Sequence, residues 1–274
     1  MSRRDRDRRS KRRKKDSQLI YIILTGVFVF SIFGMVGGSV YLRQSQETLD
    51  EVTLCPARAP QQAYVVLVDV SSSINPVQQQ SILNQVEKLK SRLRAGDKLM
   101  LYALEPTSDL LKPRLTVCRP KSGQEVSSLT GDQNSAGQLF KDRFETPFED
   151  MARDLLEAKP AQSSPIIRGV QAAVVSGFGA LPDTTGKHLI VVSDMLEYDG
   201  GRSHYDDSNP PDATDLDGPG YASLFADMRG VDVEVWYVQR QGDGKHQGMA
   251  HVKFWEALFA KSGGALVRVY KVEG

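Results

Sequence analysis

YVVLVDVSSSI, residues 64–74, joins an unbroken run of strand-forming apolar residues to one acid and a group of hydroxyls. An apolar run without alternation, bounded by a turn signal, predicts a strand buried on both of its faces. The run stops at Asp69, which begins Asp69-x-Ser71-x-Ser73, and a polar turn then leads into a helical pattern. One carboxylate and two hydroxyls therefore stand at the mouth of a buried strand.

Outward from this stretch, strand and helix patterns alternate. Val77 to Leu93 carries Ile82, Val86, Leu89 and Leu93 at helical spacing with Lys88, Lys90 and Arg92 between them, an amphipathic helix returning across a sheet. Strands are predicted at 98–104 and 113–118. Their connection of about eight residues is too short for a parallel crossover, so the third strand should run antiparallel to the second. Phe140, Phe144, Phe148, Met151 and Leu155 mark helical surface, with a break expected where Thr146 caps a new helix, Pro147 sits at its first position and Glu149 at its third. Ser163-Ser164-Pro165 starts a further helix, running to the glycines at 177 and 179. A fourth strand, 188–193, ends in Asp194. After a long acidic stretch from Glu197 to Gly220 come a short helix (221–229), a strand (231–238), a helix (249–262) closed by Gly263-Gly264, and a last strand (265–272). The alternation implies an α/β fold: a doubly wound, mostly parallel sheet with one antiparallel edge strand and helices on both faces.

Upstream the composition changes. Of the 35 Lys/Arg and 34 Asp/Glu, 10 and 2 fall in residues 1–15, so the tail carries +8 and the remainder −7. An acidic remainder argues against nucleic acid as the main domain's partner, because phosphate neutralisation needs a basic face. Residues 19–42 are 24 in number and uncharged, about 36 Å of helix and enough to span a bilayer with tilt. Basic residues crowd the N-terminal side, which puts residues 1–18 in the cytoplasm, against anionic lipid headgroups, and the main domain outside. A cleaved signal peptide, cut near Gly37-Gly38-Ser39, is the competing reading. Residues 43–62 read as a tether and 63–274 as the folded domain. The two cysteines, Cys55 in the tether and Cys118 at the end of the third strand, suit one disulfide in an outward-facing domain, since the third strand should end where the first begins; two unrelated thiols are the alternative.

A doubly wound sheet binds ligands beyond the carboxyl ends of its strands, where the strand order reverses. Strands one and four are the expected neighbours there, and both end in aspartate, Asp69 and Asp194. Ser71, Ser73 and Ser164 belong to loops at the same edge. An all-oxygen set with few charges suits a small hard divalent cation that keeps some of its water. The alternative is that Asp69 and its serines cap the next helix. DATDLDG, residues 212–218, faintly echoes a calcium loop but has Ala213 where the first ligand belongs. The four histidines lack zinc spacing.

With these residues in place the chain resembles the von Willebrand factor type A domain over most of residues 63–272. The family's metal-ion-dependent adhesion motif is matched by Asp69, Ser71 and Ser73, its Thr or Ser before a helix by Ser164 in SSPIIRGV, and its Asp after the fourth strand by Asp194 in VVSDM. The resemblance implies Mg2+ or Mn2+ at these positions and a protein partner whose carboxylate often completes the shell. Two positions depart from the pattern: Met195 stands where a glycine usually follows the aspartate, and Ser164 where Thr is commoner. The resulting expectation is a single-pass membrane protein whose periplasmic or extracellular domain binds a protein, without catalysis. The rivals are an architectural subunit with a degenerate metal site and a metal-dependent hydrolase, for which Glu197 is the only nearby acid.

Overall fold

The computed structural model describes residues 24–35, 48–71, 73–104, 111–128, 131–157 and 163–274. These fall in two units, Met1–Thr48 and Leu49–Gly274. In the first, residues 24–35 form a helix, α1, whose Leu24, Phe28, Phe30 and Phe33 side chains are exposed. The Ser31 hydroxyl donates to the Val27 carbonyl at 2.9 Å, so this polar side chain is satisfied within the helix. The basic tail and the rest of the expected span at 19–42 lie outside the described residues. Among the described residues, no helix is long and apolar enough to cross a membrane.

The second unit is built on a six-stranded sheet of order β3-β2-β1-β4-β7-β8. Its strands are β1 (Gln62–Asp69), β2 (Lys98–Leu104), β3 (Leu115–Cys118), β4 (Gly186–Ser193), β7 (Val231–Val238) and β8 (Ala265–Val272). A small antiparallel hairpin, β5 (Tyr198–Asp199) with β6 (Arg202–Ser203), stands apart from it. Every neighbouring pair in the large sheet is parallel except β2 with β3, as their short connection requires.

The apolar run of β1 has no polar positions because both faces are covered. Ala63, Val65 and Leu67 point into one core with α5 (Ile166–Phe178) and α7 (Met249–Lys261). Tyr64, Val66 and Val68 point into the other with α2 (Pro76–Arg92) and α4 (Thr146–Leu156). Side chains of period two thus fill two cores from one strand. Helix α5 lies unusually close to the sheet, since a methyl group on Gly169 would meet Leu104 Cδ1 at 2.3 Å and one on Gly177 would meet Val65 Cγ2 at 2.4 Å.

Three local expectations change. Thr146 does not cap: helix α3 (Gln133–Phe140) passes through a π-turn at Lys141–Glu145 straight into α4, with Thr146 itself helical at φ −59°. The widened turn admits Pro147 without a break, because an i→i+5 pattern relieves the clash a proline makes with the preceding carbonyl. The helix expected over 221–229 is confined to α6 (Pro219–Ala222). Met228 instead donates its backbone N–H to the Ser262 carbonyl at 2.8 Å, a tertiary bond that holds the segment extended while Ala226 and Met228 are buried and Asp227 and Arg229 are exposed.

Part of the expected tether is structured as well, for the compact unit begins at Leu49. Leu49 bridges Pro56, Asp50 accepts from the backbone of Val52 and Thr53, and Leu54 is buried. Cys118 donates its N–H to Thr53 O at 2.7 Å, and the Cys55–Cys118 disulfide is formed, with Cα atoms 4.7 Å apart.

Candidate metal centre

Strands β1 and β4 are hydrogen-bonded neighbours from Gln62↔Gly186 to Val68↔Val192, so their carboxyl ends, Asp69 and Asp194, emerge side by side at the point where strand order reverses. Both aspartates are almost fully buried, at 4% and 1% exposure. Burial of a carboxylate demands partners, and each aspartate has its own set.

Asp69 Oδ1 accepts the backbone N–H of Ser71 at 2.8 Å, the two-residue turn that Asp favours at a strand end. Its Oδ2 accepts the hydroxyls of Ser164 at 3.1 Å and Ser193 at 2.8 Å. Ser164 is positioned from outside the sheet: it exchanges backbone hydrogen bonds with Tyr198 at 2.8 and 3.0 Å, which pins the start of α5 to the β5–β6 hairpin. Three loops therefore converge on one carboxylate. Ser71 is buried, and its hydroxyl has no hydrogen-bond partner among the described residues. Ser73 is exposed, and its carbonyl oxygen turns back towards the site.

Asp194 is held differently. Its Oδ1 accepts the Leu196 N–H at 2.9 Å, and its Oδ2 accepts Arg240 Nε at 2.6 Å. Arg240 follows the end of β7 and also reaches the Ser73 carbonyl, so it links the first and last of the expected ligand loops. Gln247 fixes its backbone, accepting from Arg240 N at 2.7 Å while donating to the carbonyls of Asp194 at 3.0 Å and Val238 at 2.9 Å. Burial raises the Asp194 carboxyl above the ordinary range and the nearby charge of Asp69 adds to it, with the Arg240 guanidinium and the Leu196 N–H opposing both. Tyr205 feels the same field: burial first, then the Asp194 charge, push its hydroxyl up to about 12.

Met195 has φ +60° and is 1% exposed. That backbone region costs a side-chain-bearing residue about 1–2 kcal/mol and a glycine almost nothing. A glycine is what the motif usually carries at this position. The methionine is held by its own burial, by its N–H donating to Ser193 Oγ at 2.8 Å and by its carbonyl accepting Trp255 Nε1 at 3.0 Å. Met195 thus holds a left-handed backbone conformation beside Asp194 in spite of its side chain.

Glu197 is completely enclosed. Its Oε2 accepts the Ile167 N–H at 3.0 Å, its Oε1 lies 3.7 Å from Arg202 Nε, and burial pushes its pKa up to about 7. Near Met195, His251 Nδ1 lies 2.6 Å from Tyr237 Oη and its Nε2 lies 2.9 Å from His204 Nδ1; burial drives His251 down to about 4 and His204 to about 3, so both are neutral. Asp212 accepts the Thr214 N–H at 2.9 Å and caps the turn at Ala213–Asp217.

The chemistry of this set fits a hard divalent ion in two respects: every donor is oxygen, and the buried Ser71 hydroxyl awaits a partner. Among the described residues, no three or more His, Cys, Asp or Glu side chains gather as a metal site, so coordination here would rely on hydroxyls. Sequence reasoning picked out Asp69, Ser71, Ser73, Ser164 and Asp194, of which Ser73 is exposed at the rim, and missed Ser193 and Arg240. Ser193 was readable as the last residue of β4 beside Asp194. Arg240 was readable only as a cation just beyond the carboxyl end of a strand.

Fold and donor set together define a doubly wound α/β domain with an all-oxygen site at its switch point. No protein-family model and no curated protein matches the chain. Among solved structures it is similar to a von Willebrand factor type A protein from Catenulispora acidiphila, at 14% identity and a TM-score of 0.42, over 78% of this chain and 39% of that one. It is similar also to an aerotolerance-related membrane protein from Bacteroides fragilis, at 14% identity and a TM-score of 0.34, over 78% and 92% of the two chains. A third is the pilus adhesin SpaC from Lactobacillus rhamnosus GG, at 12% identity and a TM-score of 0.43, over 80% and 28%. At these values the fold assignment stands on strand order and the antiparallel β3 edge, and not on the likenesses.

Proposed function

We propose that the chain is a membrane-anchored protein-binding module of von Willebrand factor type A kind, whose domain outside the membrane grips a protein partner through Mg2+ or Mn2+. The observation that carries the reading is the convergence of Ser164 and Ser193 on Asp69, beside Asp194 and the unpartnered Ser71 hydroxyl. Asp69, Ser71, Ser164 and Asp194 would hold the ion, with Ser73 at the exposed rim. The ion would supply a positive coordination position for an acidic side chain of the partner. The residues themselves set the register of the three loops, keep the two carboxylates apart from bulk water and leave one edge of the site open at Ser73.

Residues 19–42 supply the span, the basic tail at 1–18 lies against cytoplasmic lipid headgroups, and the domain is periplasmic or extracellular. Supporting this are the charge asymmetry and the disulfide. A binding role rather than catalysis is favoured because Glu197, the acid that the hydrolase reading would use, is enclosed and committed to the start of α5. A second reading, an architectural subunit with a degenerate site, is favoured by one observation, the Arg240–Asp194 ion pair.

Isothermal titration of the full chain with Mn2+ is expected to show binding that Asp69→Ala abolishes, and chelator is expected to release captured membrane partners. Partners that stay bound in chelator would favour the architectural reading. Turnover of phosphoesters dependent on Asp194 would instead make the protein a hydrolase.

A further inference from the structure

Arg240 is the side chain that the adhesion motif leaves unexplained. Its guanidinium donates to Asp194 Oδ2 at 2.6 Å and to the Ser73 carbonyl, so one cation already bridges the two ends of the ligand set. The pair is sheltered, with side-chain exposures of 16% and 1%. It is also built: Gln247 ties the Arg240 backbone to the carbonyls of Asp194 and Val238. The arginine stem starts at the rim, beyond β7, from which a long side chain can swing outward without disturbing the sheet. We propose that Arg240 is a tethered counter-cation that holds the place of the divalent ion at Asp194 and must withdraw before that ion binds, thereby setting the site's metal affinity and its dependence on a partner.

Charge makes the two cations exclusive. Asp69 and Asp194 bring two negative charges; Arg240 leaves a net of one, which the serine hydroxyls on Asp69 accommodate. A divalent ion with the guanidinium still in place would reverse the sign to a net positive charge, with like charges sharing one carboxylate oxygen at low dielectric. With Arg240 withdrawn, the divalent ion balances both carboxylates. An acidic partner residue arriving at the rim adds a second inducement, since it offers both the ion and the displaced guanidinium a carboxylate.

The inference rests on the metal reading above, and the test separates the two. Mn2+ is titrated calorimetrically into the full chain in detergent, as wild type, Arg240→Gln, and Arg240→Gln with Asp194→Asn. The expected result is at least about tenfold tighter Mn2+ binding by Arg240→Gln, the change produced when a site closed nine parts in ten is opened, and loss of that gain in the double variant. Equal, measurable affinity in wild type and Arg240→Gln overturns the inference and leaves the metal reading standing. Failure of every variant to bind overturns both. Should Arg240→Gln not fold, the wild type carries the test: the Arg240 Nε–H resonance is expected to move to a solvent-exposed position on saturation with Mg2+, and an unmoved resonance at saturation overturns the inference.

Discussion

Glu197 shows at the residue scale what enclosure does to a carboxyl group. It gains backbone N–H groups, chiefly from Ile167, and the nearby Arg202 charge, but loses its water, and burial outweighs them, so its pKa rises from 4.5 to about 7. The folded state then holds the proton more tightly than the unfolded chain. The contribution of Glu197 to stability is therefore greatest below about pH 4.5, falls as pH rises from there to about 7, and is level beyond, with a total loss of about 3 kcal/mol. Glu197→Gln, which keeps the acceptor for Ile167 and removes the charge, is expected to raise stability at pH 8 by about 2–3 kcal/mol and to change it little at pH 4. Urea unfolding of both proteins at the two pH values measures this, and equal gains at both would refute the assignment. Met195 illustrates the opposite economy, a strained backbone retained because two hydrogen bonds and full burial hold it.

At the scale of elements, α5 matters most, because it carries Ser164 at its entrance and must lie close to β1 for that hydroxyl to reach Asp69. Gly169 and Gly177 permit the approach. Gly177→Ala gains helix propensity of about 1 kcal/mol but drives a methyl group into Val65, an overpacking that costs about 1–3 kcal/mol. A net destabilisation of up to about 2 kcal/mol is expected by urea unfolding, together with weaker Mn2+ binding as Ser164 shifts. A variant as stable as the wild type would mean that the helix can move away at no cost. Helical spacing signalled α5 correctly because its apolar stripe is long and meets the sheet along its whole length. Residues 221–229 carry a similar spacing, yet their backbone groups find tertiary partners such as Ser262, and a pattern of apolar residues does not reveal that competition.

For the whole molecule, the disulfide closes a loop of 63 residues from the entry segment to the β3 edge. In the chain-entropy account, closing a loop of that length stabilises the fold by up to about 4 kcal/mol. Cys55→Ser with Cys118→Ser is expected to lower the urea midpoint and to free residues 49–57 for proteolysis, while Mn2+ affinity at the far edge of the sheet stays within about twofold, since sites without shared partners behave additively. A loss of metal binding in that variant would show that the entry segment and the site are coupled.

Much of this architecture was legible in residue order alone. An unbroken apolar strand, a connection of about eight residues and regular alternation dictated a parallel sheet with one reversed edge, because short loops and two-sided burial leave few other solutions. The convergence of Asp69, Ser164 and Asp194 followed from the same logic, since strand ends at a switch point must meet. Tertiary structure alone decided the rest: that Ser193 shares Asp69, that Met195 takes the conformation of a glycine, that Glu197 is enclosed, and that Arg240 reaches Asp194 across 46 residues of sequence. These depend on side-chain direction and on which charges the fold removes from water together, quantities that a one-dimensional pattern does not carry.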